Sequence, residues 1–168
     1  MRQRALVIGG SVGGLFAAHL LRQAGWDGAV YERAAASLGD RGTGIGTRPE
    51  LFAAMRRAGI ASNDTLGIDV LGRVGLGADG RVLHERTARA VTSAWSRIWR
   101  PLREALPDAL YTGDKALVRV EQNADGVSAA FADGSHAEAD LLVAADGLHS
   151  TVRALIWSQA GIGAAAAS

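Results

Sequence analysis

A run of glycines near the amino terminus is the first part of the sequence whose spacing points to a chemical role. The pattern G-x-G-x-x-G, with a serine at its second glycine, is met by Gly9, Gly10, Ser11, Val12, Gly13 and Gly14. In this pattern the first glycine permits a tight turn, the last lets a helix pack closely on a strand, and the amides at the helix start bind a pyrophosphate. The spacing predicts a dinucleotide-binding turn, and a glycine-rich turn that only shapes the fold is the alternative.

Two side chains near this turn extend the prediction. Ser11 crowds the point where the backbone should approach phosphate most closely, although its hydroxyl can donate to a phosphate oxygen. Glu32 lies about twenty residues further on, where a carboxylate accepts hydrogen bonds from a ribose diol and repels a 2′-phosphate. The site therefore suits FAD or NAD and not NADP. The alternative for Glu32 is an ordinary exposed glutamate after a strand.

The elements that must position these residues follow from the apolar pattern. A short apolar run from Ala5 to Ile8 ends at the glycines, and Leu15 to Ala24 is apolar at helical spacing until Gly25. A second short run spans Ala29 to Tyr31. The first 32 residues therefore predict one βαβ unit with a parallel strand pair.

The middle of the chain predicts a loop, a helix and a hairpin. A glycine-rich loop spans Gly39 to Gly46, and a helix with Pro49 in its first turn continues through Leu51 to Ala58. Between Ile68 and Arg86, two apolar stretches flank Ala78-Asp79-Gly80, which is typical of a hairpin.

The second half predicts a helix, a meander and a last parallel strand. The helix spans Ala94 to Leu106, and Pro101 inside it predicts a kink or a late start. Three alternating segments between Ala116 and Ala139 are typical of an antiparallel meander. Leu141 to Ala144 is apolar without alternation, as expected of a parallel strand buried on both faces.

Composition excludes several classes of function. The 168 residues, 48% of them apolar, suffice for one domain with a core. The 18 basic residues are balanced by 17 acidic ones and form no basic stripe, so we expect no nucleic-acid partner. Cysteine is absent, and the four histidines lie scattered without metal-ligand spacing, so we expect no metal site. The glycines interrupt the only amino-terminal apolar run, so we expect neither a signal peptide nor a membrane span, and we expect a cytoplasmic location.

Taken together, the motifs resemble one enzyme family. Besides the glycine pattern they are Glu32-Arg33, Arg41-Gly42-Thr43-Gly44-Ile45, and the segment from Asp140 to Gly147. In this order they resemble the class A FAD-dependent aromatic-ring monooxygenases, which are para-hydroxybenzoate hydroxylase-like. Segments 42–51 and 92–100 are most similar to the 2,6-dihydroxypyridine hydroxylase branch. The resemblance implies an α/β fold of the glutathione-reductase type, a Rossmann-like FAD-binding parallel sheet with an inserted antiparallel β-meander.

The resemblance also implies roles for particular residues. Glu32 would hold the adenosine ribose, Arg41 to Ile45 would lie along the flavin side of FAD, Arg100 would reach toward FAD, and Asp146 would serve its pyrophosphate-ribose region. The alternatives are a solvated loop charge for Arg41, a helix cap for Arg100 and a plain turn for Asp146 with Gly147. The implied cofactor-binding residues are Gly9, Ser11, Val12, Gly13, Gly14, Glu32, Arg33, Arg41, Gly44, Arg100 and Asp146.

The chemistry that the resemblance implies belongs to the cofactor. NADH or NADPH reduces FAD, and one atom of oxygen is transferred to a small aromatic or heteroaromatic substrate. The protein's part is to orient the ring and exclude water, so no side chain is predicted to be catalytic.

The family pattern ends before the sequence does. After Arg153 the chain departs from the family, and its later antiparallel sheet and Gly-Asp motif are missing. We therefore expect an incomplete FAD-binding domain over residues 1–157, a frayed tail over 158–168, and self-association through uncovered apolar surface. Three hypotheses remain: a monooxygenase completed by another polypeptide, a non-catalytic FAD-binding fragment, and an NAD-binding dehydrogenase module.

Overall fold

The computed structural model describes residues 2–40, 44–61 and 66–159, which form four α-helices and ten strands. The helices are α1 (Val12–Gln23), α2 (Pro49–Arg57), α3 (Trp95–Glu104) and α4 (Thr151–Gln159). The strands are β1 (Arg4–Ile8), β2 (Asp27–Tyr31), β3 (Gly44–Thr47), β4 (Ile68–Leu76), β5 (Val82–Ala94), β6 (Tyr111–Thr112), β7 (Leu117–Asn123), β8 (Gly126–Phe131), β9 (His136–Ala139) and β10 (Leu141–Ala144).

A parallel sheet carries the amino-terminal unit. Its strand order is β10-β1-β2-β6, and β1 pairs in parallel with both β10 and β2. Because the strands run in the same direction, the carboxyl ends of β1, β2 and β10 meet at one edge of the sheet. Ligands of open α/β sheets bind beyond this edge.

The remaining strands form two antiparallel sheets. One has the order β3-β5-β4 and contains the predicted hairpin, and the other is the predicted meander β7-β8-β9. The hairpin turn and the two meander turns include Gly80, Gly126 and Gly134, whose φ angles are +80°, +150° and +83°. These conformations favour glycine, so local turn chemistry specified the β4-β5 hairpin and the meander.

Two apolar layers cover the parallel sheet. Val7 and Val30 pack against residues of α1, α2 and α3. Leu6 and Ile8 pack on the other side against the meander and α4. Alternate residues of β1 thus face opposite layers, as the two-residue period of a strand requires.

The glycine-rich segment before α2 differs from its prediction. Strand β3 begins at Gly44, so the predicted loop of Gly39 to Gly46 is wrong for its last three residues. The strand forms because β5 extends to Ala94 and supplies an antiparallel partner, with Gly44 opposite Ala94. Strand β10 has the predicted parallel pairing, but its residues are half-buried or exposed. The expectation of burial on both faces is therefore wrong for this strand.

The two later helices have different outcomes. Helix α3 was predicted; it begins at Trp95 and runs past Pro101, so a late start is wrong and the kink stays a prediction. Helix α4, which was not predicted, includes Ser158 and Gln159. Residues 160–168 of the predicted tail lie outside the described part of the chain, and the frayed tail stays a prediction.

Candidate cofactor-binding site

The turn between β1 and α1 has steric requirements that only glycine meets. Gly9 has a φ of +110°, and a Cβ added there would lie 2.4 Å from the carbonyl oxygen of Ala145. A Cβ on Gly14 would lie 1.8 Å from the carbonyl oxygen of Gly9. A Cβ on Gly10 would lie 2.3 Å from the Tyr111 hydroxyl oxygen. Gly14 thus lets α1 contact the turn at the end of β1, Gly9 lets that turn contact the segment after β10, and Gly10 leaves room for the Tyr111 ring.

The start of α1 is suited to an anion. Ser11 is the residue before the helix, and its side chain makes no capping hydrogen bond. The first turn of α1 contains no acidic residue. The positive end of the helix dipole is therefore not compensated by a nearby carboxylate of that turn, and the free amides there can bind a phosphate group.

Glu32 lies immediately beside this helix start. Its side chain is buried, one carboxylate oxygen (Oε2) accepts a hydrogen bond from the Gly10 amide at 2.7 Å, and the other (Oε1) accepts one from the Ala34 amide at 2.9 Å. Each carboxylate oxygen has a second lone pair. The carboxylate is thus held in one position and can still accept hydrogen bonds from a diol.

A cavity of about 640 Å³ extends from Glu32 along the carboxyl ends of β1, β2 and β10. It brings together five of the predicted cofactor-binding residues, namely Gly9, Ser11, Glu32, Arg33 and Asp146. The other residues of its lining are Ile8, Tyr31, Leu38, Trp95, Lys115, Ala116, Leu117, Ala145, Gly147 and Thr151. Residues far apart in sequence thus form one site at the sheet edge.

Asp146 joins this cavity to α4. Its Oδ1 accepts a hydrogen bond from the Ser150 hydroxyl at 2.6 Å, and its Oδ2 accepts one from the Val152 amide at 3.2 Å. The Ser150 hydroxyl oxygen accepts in turn from the Arg153 amide at 3.0 Å. Asp146 therefore fixes the first turn of the helix next to the cavity.

The remaining predicted residues lie elsewhere. Within the glycine pattern, Val12 packs against the core and Gly13 faces open space. Gly44 is exposed at the start of β3, and Arg100 lines a different cavity, where it donates to the Gly39 carbonyl at 3.4 Å. Arg41 lies outside the described residues. The roles of all the predicted residues toward FAD, those in the cavity included, stay predictions.

Lys115 is a cavity residue that the sequence reasoning missed. It is the only lysine in the sequence. It follows Asp114, whose φ of +55° turns the chain so that the Lys115 amide donates to the Glu32 carbonyl at 2.9 Å. Its ammonium group donates to the Ser135 hydroxyl at 2.7 Å and pairs with Asp133. The signal that could have identified it is a lone lysine directly after a Gly-Asp turn.

The carboxylate that pairs with Lys115 belongs to the meander. Hydrogen bonds from Lys115 and Ser135 hold the pKa of the Asp133 carboxyl well below its usual range. This carboxyl therefore stays ionised at neutral pH and keeps the lysine near the cavity wall.

Aromatic side chains of α3 and β6 support the glycine turn. Trp99 donates from its indole nitrogen to the Gly10 carbonyl at 2.8 Å, and it stacks on Trp95, with ring centroids 5.8 Å apart. Tyr111 lies on the other side of Gly10, where burial and the nearby Glu32 raise its pKa to about 12 against the opposing effect of Arg103. The phenol is therefore neutral at physiological pH.

Neither His19 nor a metal-ligand cluster forms a further site among the described residues outside the cavity. His19 is buried, and its Nε2 lies 2.8 Å from the Leu102 carbonyl, which is a core contact. The described ranges contain no group of three or more His, Cys, Asp or Glu residues that could hold a metal ion. Among the helices within those ranges, none has the length and apolarity needed to cross a membrane.

A glycine turn between a parallel strand and a helix, with a buried acidic residue after the next strand, defines a Rossmann-like dinucleotide-binding domain. Comparison with known proteins narrows this class. The family model described as "FAD binding domain" matches residues 2–164, and the chain belongs to this family. The resemblance and the FAD-binding fold that were inferred from the motifs are confirmed.

Two relatives that are similar in sequence are monooxygenases. A 2,6-dihydroxypyridine 3-monooxygenase of Paenarthrobacter nicotinovorans is 36% identical over 160 residues, which cover 89% of this chain and 38% of that protein. A 6-hydroxynicotinate 3-monooxygenase of Pseudomonas fluorescens is 34% identical, with 89% of this chain and 42% of that protein covered.

Solved structures agree with the sequence matches. The 2,6-dihydroxypyridine-3-hydroxylase from Arthrobacter nicotinovorans superposes with a TM-score of 0.82 at 33% identity, covering 94% of this chain and 40% of that one. Klebsiella pneumoniae HpxO, complexed with FAD and uric acid, gives a TM-score of 0.72 at 28% identity, covering 90% and 41%. The chain thus spans about two fifths of the length of the proteins it resembles.

Proposed function

We propose that the cavity beside Glu32 binds the adenosine diphosphate part of FAD, and that the protein serves the hydroxylation of a small aromatic or heteroaromatic compound. The observation that carries this proposal is the buried Glu32 carboxylate, which is bound to the Gly10 amide at 2.7 Å next to an uncapped helix start. A diol acceptor and a phosphate site thus lie side by side, as an adenosine diphosphate requires.

The pyrophosphate is proposed to lie over the start of α1. The free amides and the Ser11 hydroxyl are donors there, and the dipole of the helix favours negative charge. Lys115 adds an ammonium donor to the cavity lining, where it also pairs with Asp133. These groups would neutralise the pyrophosphate, while Glu32 would accept hydrogen bonds from the adenosine ribose.

FAD, when bound, supplies the redox and oxygen chemistry, and the residues of this chain bind and orient it. NADH or NADPH is the proposed reductant. The substrate class is proposed from the names of the relatives, whose substrates are a dihydroxypyridine, a hydroxynicotinate and an aminohydroxybenzoate. We therefore propose a ring that carries electron-donating hydroxyl or amino groups, acted on in the cytoplasm.

Two other hypotheses predict different behaviour of the purified protein. A non-catalytic FAD-binding protein would bind FAD and produce no hydroxylated compound. An NAD-binding module would bind NAD and leave the spectrum of added FAD unchanged. The FAD family match favours flavin over nicotinamide as the tightly bound cofactor.

The test is a titration of the purified protein with FAD, followed by visible absorbance, for the wild type, Glu32→Ala and Glu85→Ala. Glu85 is an exposed glutamate of β5, outside the lining of the cavity, and serves as the control. Saturable flavin spectral changes are expected in the wild type and the control. Loss of charge-assisted hydrogen bonds should weaken FAD binding about 10-fold or more in Glu32→Ala.

Circular dichroism of both variants checks that the fold is retained. Equal FAD affinity in Glu32→Ala and Glu85→Ala would show that Glu32 does not hold the ribose. Saturable NAD binding without any flavin signal would instead support the dehydrogenase-type module.

A further inference from the structure

A second cavity, of about 680 Å³, lies between α2 and one face of the β3-β5-β4 sheet. It shares no lining residue with the cavity beside Glu32. Five arginines line it, and Asp69 is the one acidic residue among its described lining residues. The arginines are Arg48, Arg56, Arg73, Arg86 and Arg89.

Strand pairing forces two of these arginines together. Arg73 of β4 lies directly opposite Arg86 of β5 in the antiparallel register. Opposite residues of such a pair share one face of the sheet, with Cβ atoms about 5 Å apart, and like charges in this position are destabilising. A bound anion between the two guanidinium groups would remove this repulsion.

Arg73 and Arg86 differ from several other arginines of the described chain in having no ion pair. Across the described residues, Arg2, Arg81, Arg103 and Arg119 each form an ion pair with an aspartate or a glutamate. Within the same described part of the chain, neither Arg73 nor Arg86 has a carboxylate within ion-pair distance. A set of guanidinium groups in a concave site is suited to carboxylate or phosphate, which arginine binds with two parallel hydrogen bonds.

Apolar residues form part of the cavity lining, which we call its floor. Pro49 and Phe52 of α2 contribute from one side, and Ala88, Ala90 and Val91 of β5 from the other. On the opposite face of the same hairpin lie Val74, Leu76 and Val82, which are apolar and exposed, and Glu85, which pairs with Val74. The positive charge is therefore concentrated on the face that forms the cavity.

We propose that this second cavity binds a small organic anion, with an apolar ring on its floor and a carboxylate or phosphate group between Arg73 and Arg86. The site is separate from the proposed FAD site and does not depend on it. The site selects a ligand that has both a negative charge and a flat apolar body, because the cavity presents arginines and an apolar floor together.

The test uses phthalate as an aromatic dianion, phthalamide as its neutral analogue and inorganic phosphate as an anion without an apolar body. Each is titrated into the purified protein at low salt by isothermal titration calorimetry. Saturable binding of phthalate with one site per chain is expected, with no heat from phthalamide and at least about 10-fold weaker binding of phosphate. Equal affinity for phosphate and phthalate would overturn the role of the apolar floor.

Arg73→Gln and Arg57→Gln form a matched pair of variants. Both remove one positive charge, but Arg57 is exposed on α2 and does not line the cavity. Arg73→Gln and, separately, Arg86→Gln should each weaken phthalate binding about 10-fold, whereas Arg57→Gln should change it less than about 2-fold. FAD affinity should be the same in all three variants.

The proposal is overturned by any of three results. The first is that phthalate does not bind saturably to the wild type, and the second is that phthalamide binds as tightly as phthalate. The third is that Arg73→Gln and Arg57→Gln lose phthalate binding equally. The last result would show a general effect of net charge.

Discussion

Single glycines decide how closely α1 approaches β1. The Cβ of an alanine at position 14 would lie 1.8 Å from the Gly9 carbonyl oxygen, whereas a Cβ at position 13 would have no neighbour within 4 Å. Both residues lie in the first turn of the same helix. The two positions therefore form a natural pair for testing the packing role of the glycine pattern.

We predict that Gly14→Ala lowers the free energy of unfolding by at least about 2 kcal/mol, because strand and helix must move apart. Gly13→Ala should leave it unchanged or raise it by up to about 1 kcal/mol, since alanine favours the helix. Urea denaturation followed by circular dichroism measures both. Similar losses in the two variants would contradict the proposed packing.

The surroundings of Tyr111 predict how the stability of the protein depends on pH. Burial and the nearby Glu32 raise the pKa of its phenol to about 12, above its ordinary value of 10. The folded protein thus holds this proton more tightly than the unfolded chain, so the contribution to stability is present below pH 10 and is lost as the pH rises toward 12.

The wild type and Tyr111→Phe are titrated with base, and the phenolate absorbance of the variant is subtracted from that of the wild type. This difference should rise with a midpoint near pH 12. Adding Glu32→Ala to both proteins should lower the midpoint. A difference titration centred at pH 10 would mean that Tyr111 is not buried beside Gly10.

At the scale of elements, α3 supports the glycine turn from outside the parallel sheet. Its contact is the Trp99 indole, which donates to the Gly10 carbonyl at 2.8 Å. The Gly10 amide on the same peptide segment binds Glu32. The helix thus acts on the cofactor site through the backbone that Glu32 also holds.

We predict that Trp99→Phe costs about 1–3 kcal/mol of stability, because it leaves a buried carbonyl without its partner. FAD affinity should fall several-fold for the same reason. Trp157→Phe is the control, since Trp157 is exposed on α4. If the two variants bind FAD equally well, α3 does not position the turn.

At the scale of the whole molecule, the hairpin of β4 and β5 leaves apolar side chains in solvent. Ile68, Val74, Leu76 and Val82 are more than half exposed, and β4 is the edge strand of its sheet. Exposed apolar surface on an edge strand favours association. We expect a second copy of the chain to cover this face.

The molar mass from light scattering should therefore rise with protein concentration. Val74→Lys should reduce this rise, while Val118→Lys should not, although both valines are 52% exposed, because Val118 belongs to the meander. A monomer at every concentration would contradict the expectation.

Much of the fold could be predicted because it rests on local signals. The first βαβ unit, the hairpin and the meander follow from apolar periodicity and from glycines in turns. Strand β3 and helix α4 were missed. Strand β3 exists because a distant strand pairs with it, and α4 begins where Asp146 and Ser150 organise its first turn.

The sequence alone determined the glycine turn, the acidic residue after the second strand and the family, because these depend on residue types at short spacing. Only the tertiary structure decided which predicted residues share a cavity, that Lys115 joins them, and that Arg100 lines another cavity. It also decided that Arg73 faces Arg86. The physical reason is that strand register and layer packing bring side chains together across long stretches of chain, which no local pattern specifies.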